Sequence, residues 1–164
     1  MSHDQTRPAA SAEQYLASLV SLALAEDVGT GDETTRSAVE ASAMARAVIL
    51  AKAPGVISGL VAAKEAARQV DPAIIFECLR QDSEGVVAGD PVAILHGPAR
   101  SLLTLERVLL NFLQRLSGIA TLSRTGVISL SPESLHDVVQ VPYSLMEFVV
   151  TDPASGVTRN VVLD

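Results

Sequence analysis

Arg107, Asn111, Gln114 and Gly118 recur at intervals of four, three and four residues, so on a helix they form one polar stripe. A guanidinium, two amides and a backbone-exposing glycine suit planar, multidentate hydrogen bonding, whereas an ordinary wet helix face carries Lys and Glu. The stripe reads either as a recognition surface, with a carboxylate as its natural ligand, or as a plain solvated face. Other chemistry-bearing residues are sparse. Cys78 is the only cysteine, so an internal disulfide is excluded and a reducing compartment is the default. Its setting, Ile74-Ile75-Phe76-Glu77-Cys78-Leu79, reads as a strand in which the thiol serves as a small core residue. His3, His96 and His136 show no metal-ligand spacing. The run Glu26-Asp27-Val28-Gly29-Thr30-Gly31-Asp32-Glu33-Thr34-Thr35 gathers carboxylates and hydroxyls, yet has no histidine nearby and reads as a helix end followed by an Asx or ST turn. Gly29-Thr30-Gly31 lacks the third glycine and the preceding strand of a phosphate cradle. Ser117 before Gly118 lacks the sequence context of a nucleophile elbow.

The polar stripe needs a helix behind it. Leu102, Leu105, Leu109, Phe112, Leu116 and Ile119, spaced by three and four, predict its buried face, and the helix should start near Ala99 to Ser101. Upstream, Ser11 is an N-cap candidate for an amphipathic helix through Tyr15, Leu16, Leu19, Val20, Leu22 and Ala23 to about Glu26. Strands are expected over Ala43 to Ala51, Ile74 to Arg80 and Val92 to His96, with a short Val86-Val87 piece. Gly97-Pro98 should break the last strand, and an Ala-rich helix from Val61 to Val70 should stop at Asp71-Pro72. Residues 1–10 read as a loose tail and 11–124 as the main folded unit. After about Thr121 the texture changes: 125–164 reads as a divergent tail with a β-hairpin over 146–163, around Asp152-Pro153-Ala154-Ser155-Gly156. No internal repeats are seen.

The chain has 164 residues, 48% of them hydrophobic but only 3% aromatic, with no Trp, so its core must be built from Ala, Val, Leu and Ile. The net charge of −7 argues against broad electrostatic binding to nucleic acid or anionic membrane. Arg100, Arg107, Arg115 and Arg124 lie close enough in sequence to make one local basic pocket. The N-terminus lacks the apolar core of a secretory signal, and no apolar run reaches the length of a membrane span, so a cytoplasmic location is expected. The fold class that follows is α+β: an α/β sandwich with a small, mostly antiparallel sheet, barrel-sandwich-like, plus a long amphipathic helix. One layout alternative is a biotinyl/lipoyl-like carrier. Lys52 beside Pro54-Gly55, with the Glu84-to-Leu95 strand-turn segment, resembles such a domain, but Lys52 lacks the usual hairpin context and Lys64 falls in a helix.

Three segments occur in a telling order: Leu24 to Thr35, Gly55-Val56-Ile57-Ser58-Gly59-Leu60, and Gly97 to Arg107 running on through Asn111-Phe112-Leu113-Gln114-Arg115-Leu116-Ser117-Gly118-Ile119-Ala120-Thr121. Together, over residues 12–124, they resemble the N-terminal half of quinolinate phosphoribosyltransferase, also called carboxylating nicotinate-nucleotide pyrophosphorylase. A relative of the same fold family linked to molybdenum transport shares the layout, and the last segment favours the quinolinate enzyme. The resemblance implies a reaction: quinolinate and phosphoribosyl pyrophosphate give nicotinate mononucleotide, carbon dioxide and pyrophosphate, feeding NAD synthesis. It implies Mg²⁺ accompanying the pyrophosphate and a homodimer in which the N-terminal part covers the partner's α/β barrel. It also implies that Arg107 is the arginine reaching across the dimer to a quinolinate carboxylate.

The departure from the family is large. An Asp-Thr-Arg-Lys-Thr-type motif opening the barrel should follow Thr121, and 125–164 carries none and is far too short for a barrel. No catalytic residue of the family has a counterpart here. Two readings follow: an enzyme part supplying Arg107 to a site completed elsewhere and inactive alone, or a non-catalytic module that dimerises through the helix from Leu102 to Ile119.

Overall fold

The computed structural model describes residues 11–28, 39–124, 146–153, 155–156 and 158–161. The reading of Gly29 to Thr35, the tail at 1–10, and His136 lie outside them. The first helix, α1 (Ala12–Val28), opens with a capping box. The Ser11 hydroxyl accepts from the Gln14 N–H at 3.2 Å, and the Gln14 side-chain oxygen accepts from the Ser11 N–H at 2.8 Å. Strand β1 (Met44–Ala51) alternates as its sequence requires, with Ala45, Ala47, Ile49 and Ala51 turned inward. A short strand, β2 (Gly55–Val56), leads to α2 (Leu60–Val70), whose Ala62, Ala63, Ala66 and Ala67 form a buried face of small side chains. The chain continues through β3 (Ile75–Cys78), β4 (Gly85–Val86), β5 (Pro91–Pro98), the long α3 (Ala99–Arg124), β6 (Met146–Thr151) and β7 (Thr158–Val161).

All pairings are antiparallel, in the order β3-β5-β1-β6-β7, with β2 and β4 forming a separate ribbon. The helices lie on the face of the sheet that carries Ala47, Ile49, Leu95 and Phe148, which gives the expected α+β class. The hairpin anticipated over 146–163 is present as β6 and β7, and its position is informative. Strand β6 pairs along β1 from Arg46–Thr151 to Ala51–Met146, so the sheet is continuous across the change in sequence texture. Phe148, fully buried, is the largest side chain of the core.

Four local expectations need correction. Gly97-Pro98 does not break β5: the strand runs through Pro98 straight into α3, because Ala99 N–H donates to Ala43 C=O at 2.8 Å and carries the pairing to the helix start. The strand expected over Ile74 to Arg80 shrinks to Ile75–Cys78. It is an edge strand, and Cys78 is exposed rather than in the core. Helix α1 is barely amphipathic in place: Val20 is buried, while Tyr15, Leu19 and Leu22 are exposed along one stripe. The four arginines do not form one pocket, since Arg100 and Arg124 are separated by about 36 Å along α3 at 1.5 Å per residue.

Candidate functional site

Helix α3 holds the functional candidate, and its burial is not the stripe its periodicity predicts. Leu102, Leu105 and Leu109 are buried as expected. Toward the C-terminus the inward face rotates to Leu113, Gln114, Ser117 and Gly118, leaving Leu116 36% and Ile119 45% exposed. Hydroxyl contacts cause the shift. Ser117 Oγ accepts from Ser58 N–H at 3.0 Å and donates to Ser58 C=O at 3.1 Å, and Thr121 Oγ accepts from Val56 N–H at 2.9 Å. The strand-like run 56–58 thus finds its missing partners on a helix face, and the helix turns that face to it. The start of α2 adds to the constraint. Gly59 sits at φ +101°, and a Cβ there would lie 2.7 Å from Leu116 Cδ1, so glycine alone lets the two helices meet.

The polar stripe therefore divides. Gln114 is 7% exposed, with its amide nitrogen 3.5 Å from Met146 C=O, and Gly118 is buried, so neither belongs to a wet recognition surface. Arg107 stays on the wet face: it is exposed, and among the described residues it has no hydrogen bond or ion pair. Two ties flank it on the same side of the helix. Arg100, two turns earlier, donates through Nε at 2.9 Å and Nη2 at 2.6 Å to Val39 C=O. Asn111, one turn later, donates to Asp27 Oδ2 at 3.3 Å at the end of α1. The guanidinium of Arg107 is thus presented outward from a braced helix.

Sequence reasoning missed Glu106. It lies between Leu102, Leu109, Leu110 and Leu113 on the inward face, is only 3% exposed, and its Oε1 has no hydrogen-bond partner. Burial pushes its carboxyl up to about 7, against the opposing pull of the Arg107 charge. The signal was available: a carboxylate position standing inside the apolar period of the helix.

Two grooves are formed by the described residues. One groove of about 580 Å³ lies between α1, α2 and β3, lined by Leu16, Val61 and Phe76 among others. A second, of about 590 Å³, lies between the β2–β4 ribbon and Arg124 at the end of α3. Neither groove is lined by Arg107. Among the described residues no three His, Cys, Asp or Glu side chains gather to hold a metal, which does not fit a protein cage for Mg²⁺. Lys52 is exposed between β1 and β2, and Lys64 is exposed on α2. No helix of the described residues is long and apolar enough to cross a membrane.

Known proteins of similar sequence and fold place the chain in a family. The family model for the N-terminal domain of quinolinate phosphoribosyl transferase matches residues 32–117, a span that includes Arg107. The chain is 39% identical over 118 residues to the chloroplastic nicotinate-nucleotide pyrophosphorylase [carboxylating] of Arabidopsis thaliana, covering 71% of this chain and 34% of that protein. It is 40% identical over 110 residues to a probable nicotinate-nucleotide pyrophosphorylase [carboxylating] of Bacillus subtilis, covering 67% and 38%. The solved nicotinate-nucleotide pyrophosphorylase of Francisella tularensis superposes with a TM-score of 0.67 at 34% identity, covering 71% of this chain and 41% of that one. The chain thus spans 34% to 41% of the length of these three relatives. With a family model covering about half of its length and a shared fold behind it, the chain belongs to the quinolinate phosphoribosyl transferase family, through that family's N-terminal domain.

Proposed function

We propose that this chain supplies Arg107 to the quinolinate-binding part of a quinolinate phosphoribosyltransferase. That enzyme converts quinolinate and phosphoribosyl pyrophosphate to nicotinate mononucleotide, carbon dioxide and pyrophosphate in NAD synthesis. The observation that carries the reading is the exposed, unpartnered guanidinium on a helix inside the matched span. Such a group stays charged at every working pH and can hold both oxygens of a carboxylate through two parallel N–H donors. Arg100 and Asn111, engaged with Val39 and Asp27, fix the helix that presents it. The remaining face of the site belongs to an α/β barrel, outside the residues described, carried by a partner subunit in the cytoplasm. Any Mg²⁺ that travels with phosphoribosyl pyrophosphate is held by the pyrophosphate and by groups other than those of this domain.

One arginine orients a dianion but cannot by itself stabilise a departing pyrophosphate, so this chain assayed alone forms no nicotinate mononucleotide. The test is Arg107→Ala in an assembly with a barrel-bearing family member. Affinity for quinolinate should fall by at least tenfold while that for phosphoribosyl pyrophosphate changes little. Equal losses for both ligands would refute the assignment.

A second reading is favoured by exposed Leu116 and Ile119 on α3 and by Tyr15, Leu19 and Leu22 on α1. In this reading the domain is a non-catalytic module that pairs with another copy through these residues. Light scattering decides it: a dimer that binds no quinolinate supports the module, and a monodisperse monomer excludes it.

A further inference from the structure

The Arg107 surface has a buried neighbour that the proposed chemistry leaves unused. Glu106 follows the inward line of Leu102, Leu109 and Leu113, almost completely removed from solvent, with one carboxylate oxygen unpartnered. A buried carboxyl with an oxygen left unpartnered is more comfortable neutral than ionised. Among the described residues, the elements packed on α3 turn mainly small and apolar side chains toward it. Strand β1 turns Ala45, Ala47 and Ile49 to the helices, β5 turns Leu95, and β6 turns Met146 and Phe148. Helix α2 turns Ala62, Ala63, Ala66 and Ala67 inward, and its Lys64 is exposed. Helix α1, also packed on α3, brings the exposed Asp27, which accepts from Asn111, and β2 brings Gly55 and Val56. Within α3, the charge that acts on Glu106 is that of Arg107.

Resting on the reading of Arg107 as a quinolinate-binding group, we propose that Glu106 is a positioning residue acting through Arg107. While its carboxyl holds a proton, Glu106 sets no negative charge beside Arg107. Once that proton leaves, the new anion on the inward side of the helix weakens the field of the guanidinium and repels the ligand. The balance is a single proton exchanged between the Glu106 carboxyl and water, and no other bond changes. The carboxyl's shift to about 7 puts this exchange within the physiological range. The helix thereby makes its affinity for a dianion depend on pH through a residue that never touches the ligand.

The experiment is quinolinate binding by calorimetry from pH 6 to pH 8.5, in the same assembly with a barrel-bearing family member. Quinolinate stays a dianion throughout that range. Wild-type affinity should fall about three- to tenfold more across the range than that of Glu106→Gln, as expected for one added charge near a surface site. Glu106→Asp should keep the wild-type slope. Equal slopes for wild type and Glu106→Gln overturn the proposal. Arg107→Ala, measured at pH 6, separates the two ideas: unchanged quinolinate affinity sinks the reading of Arg107 itself. Because Glu106→Gln could fail to fold, a second measurement uses the unsubstituted protein. By reciprocity, bound quinolinate should raise the midpoint of the Glu106 carboxyl, followed by ¹³C NMR, by about 0.5 to 1 pH unit. A midpoint unmoved by saturating quinolinate overturns the proposal independently.

Discussion

Glu106→Gln also makes a prediction about folding that needs no ligand. The folded protein holds this carboxyl near 7, against an ordinary value of 4.5. The difference, at about 1.4 kcal/mol per pH unit, amounts to about 3 kcal/mol. Because the folded-state value is raised, the wild type enjoys its full stability below pH 4.5 and loses it progressively as pH rises through 7. Glutamine does not ionise, and its amide adds an offset that is the same at every pH. The stability of Glu106→Gln relative to wild type should therefore improve by up to about 3 kcal/mol between pH 4 and pH 8. Urea unfolding at half-unit pH steps, with midpoints converted through a common slope, measures this directly. Parallel stability curves would show that the carboxyl is solvated or paired in the folded chain, and would remove the electrostatic argument built on it. Glu65→Gln is the control of opposite sign. The Glu65 carboxylate is held at about 2 by hydrogen bonds from Arg68 and Gln69, so removing it should cost stability above its range instead of adding it.

Other perturbations probe the scaffold and the site. Arg107→Lys keeps the charge but loses the two-pronged grip, so KM for quinolinate in the completed assembly should rise about tenfold with little change in KM for phosphoribosyl pyrophosphate; an unchanged value would mean that simple charge suffices. Gly59→Ala meets both a positive φ and Leu116, and a loss of about 2 to 3 kcal/mol is expected by urea unfolding. Ser117→Ala leaves Ser58 N–H without its acceptor and should cost about 1 to 3 kcal/mol by the same measurement. Phe148→Ala empties the centre of the core and should cost about 3 to 5 kcal/mol. A near-neutral result there would mean that β6 is not an integral strand of the sheet.

Local chemistry was enough to read the helices, most strands and the α+β class. The Ser11–Gln14 box, the Asp71-Pro72 stop and the alternation of β1 act over a few residues, and nothing distant competes with them. The outward placement of Arg107 was legible for the same reason, since an exposed side chain depends mainly on its own helix. Long-range contacts decided the rest. Gln114 and Gly118 look wet by type and period, yet the pull of Ser117 and Thr121 toward strand β2 rotates that half of α3 inward. Cys78 looks like a core residue, but strand order alone sets β3 at an edge. Glu106 shows the limit most plainly. Its charge is written in the chain, but the burial that leaves one oxygen unpartnered and pushes the carboxyl up arises only when a sheet of small and apolar side chains closes over the helix.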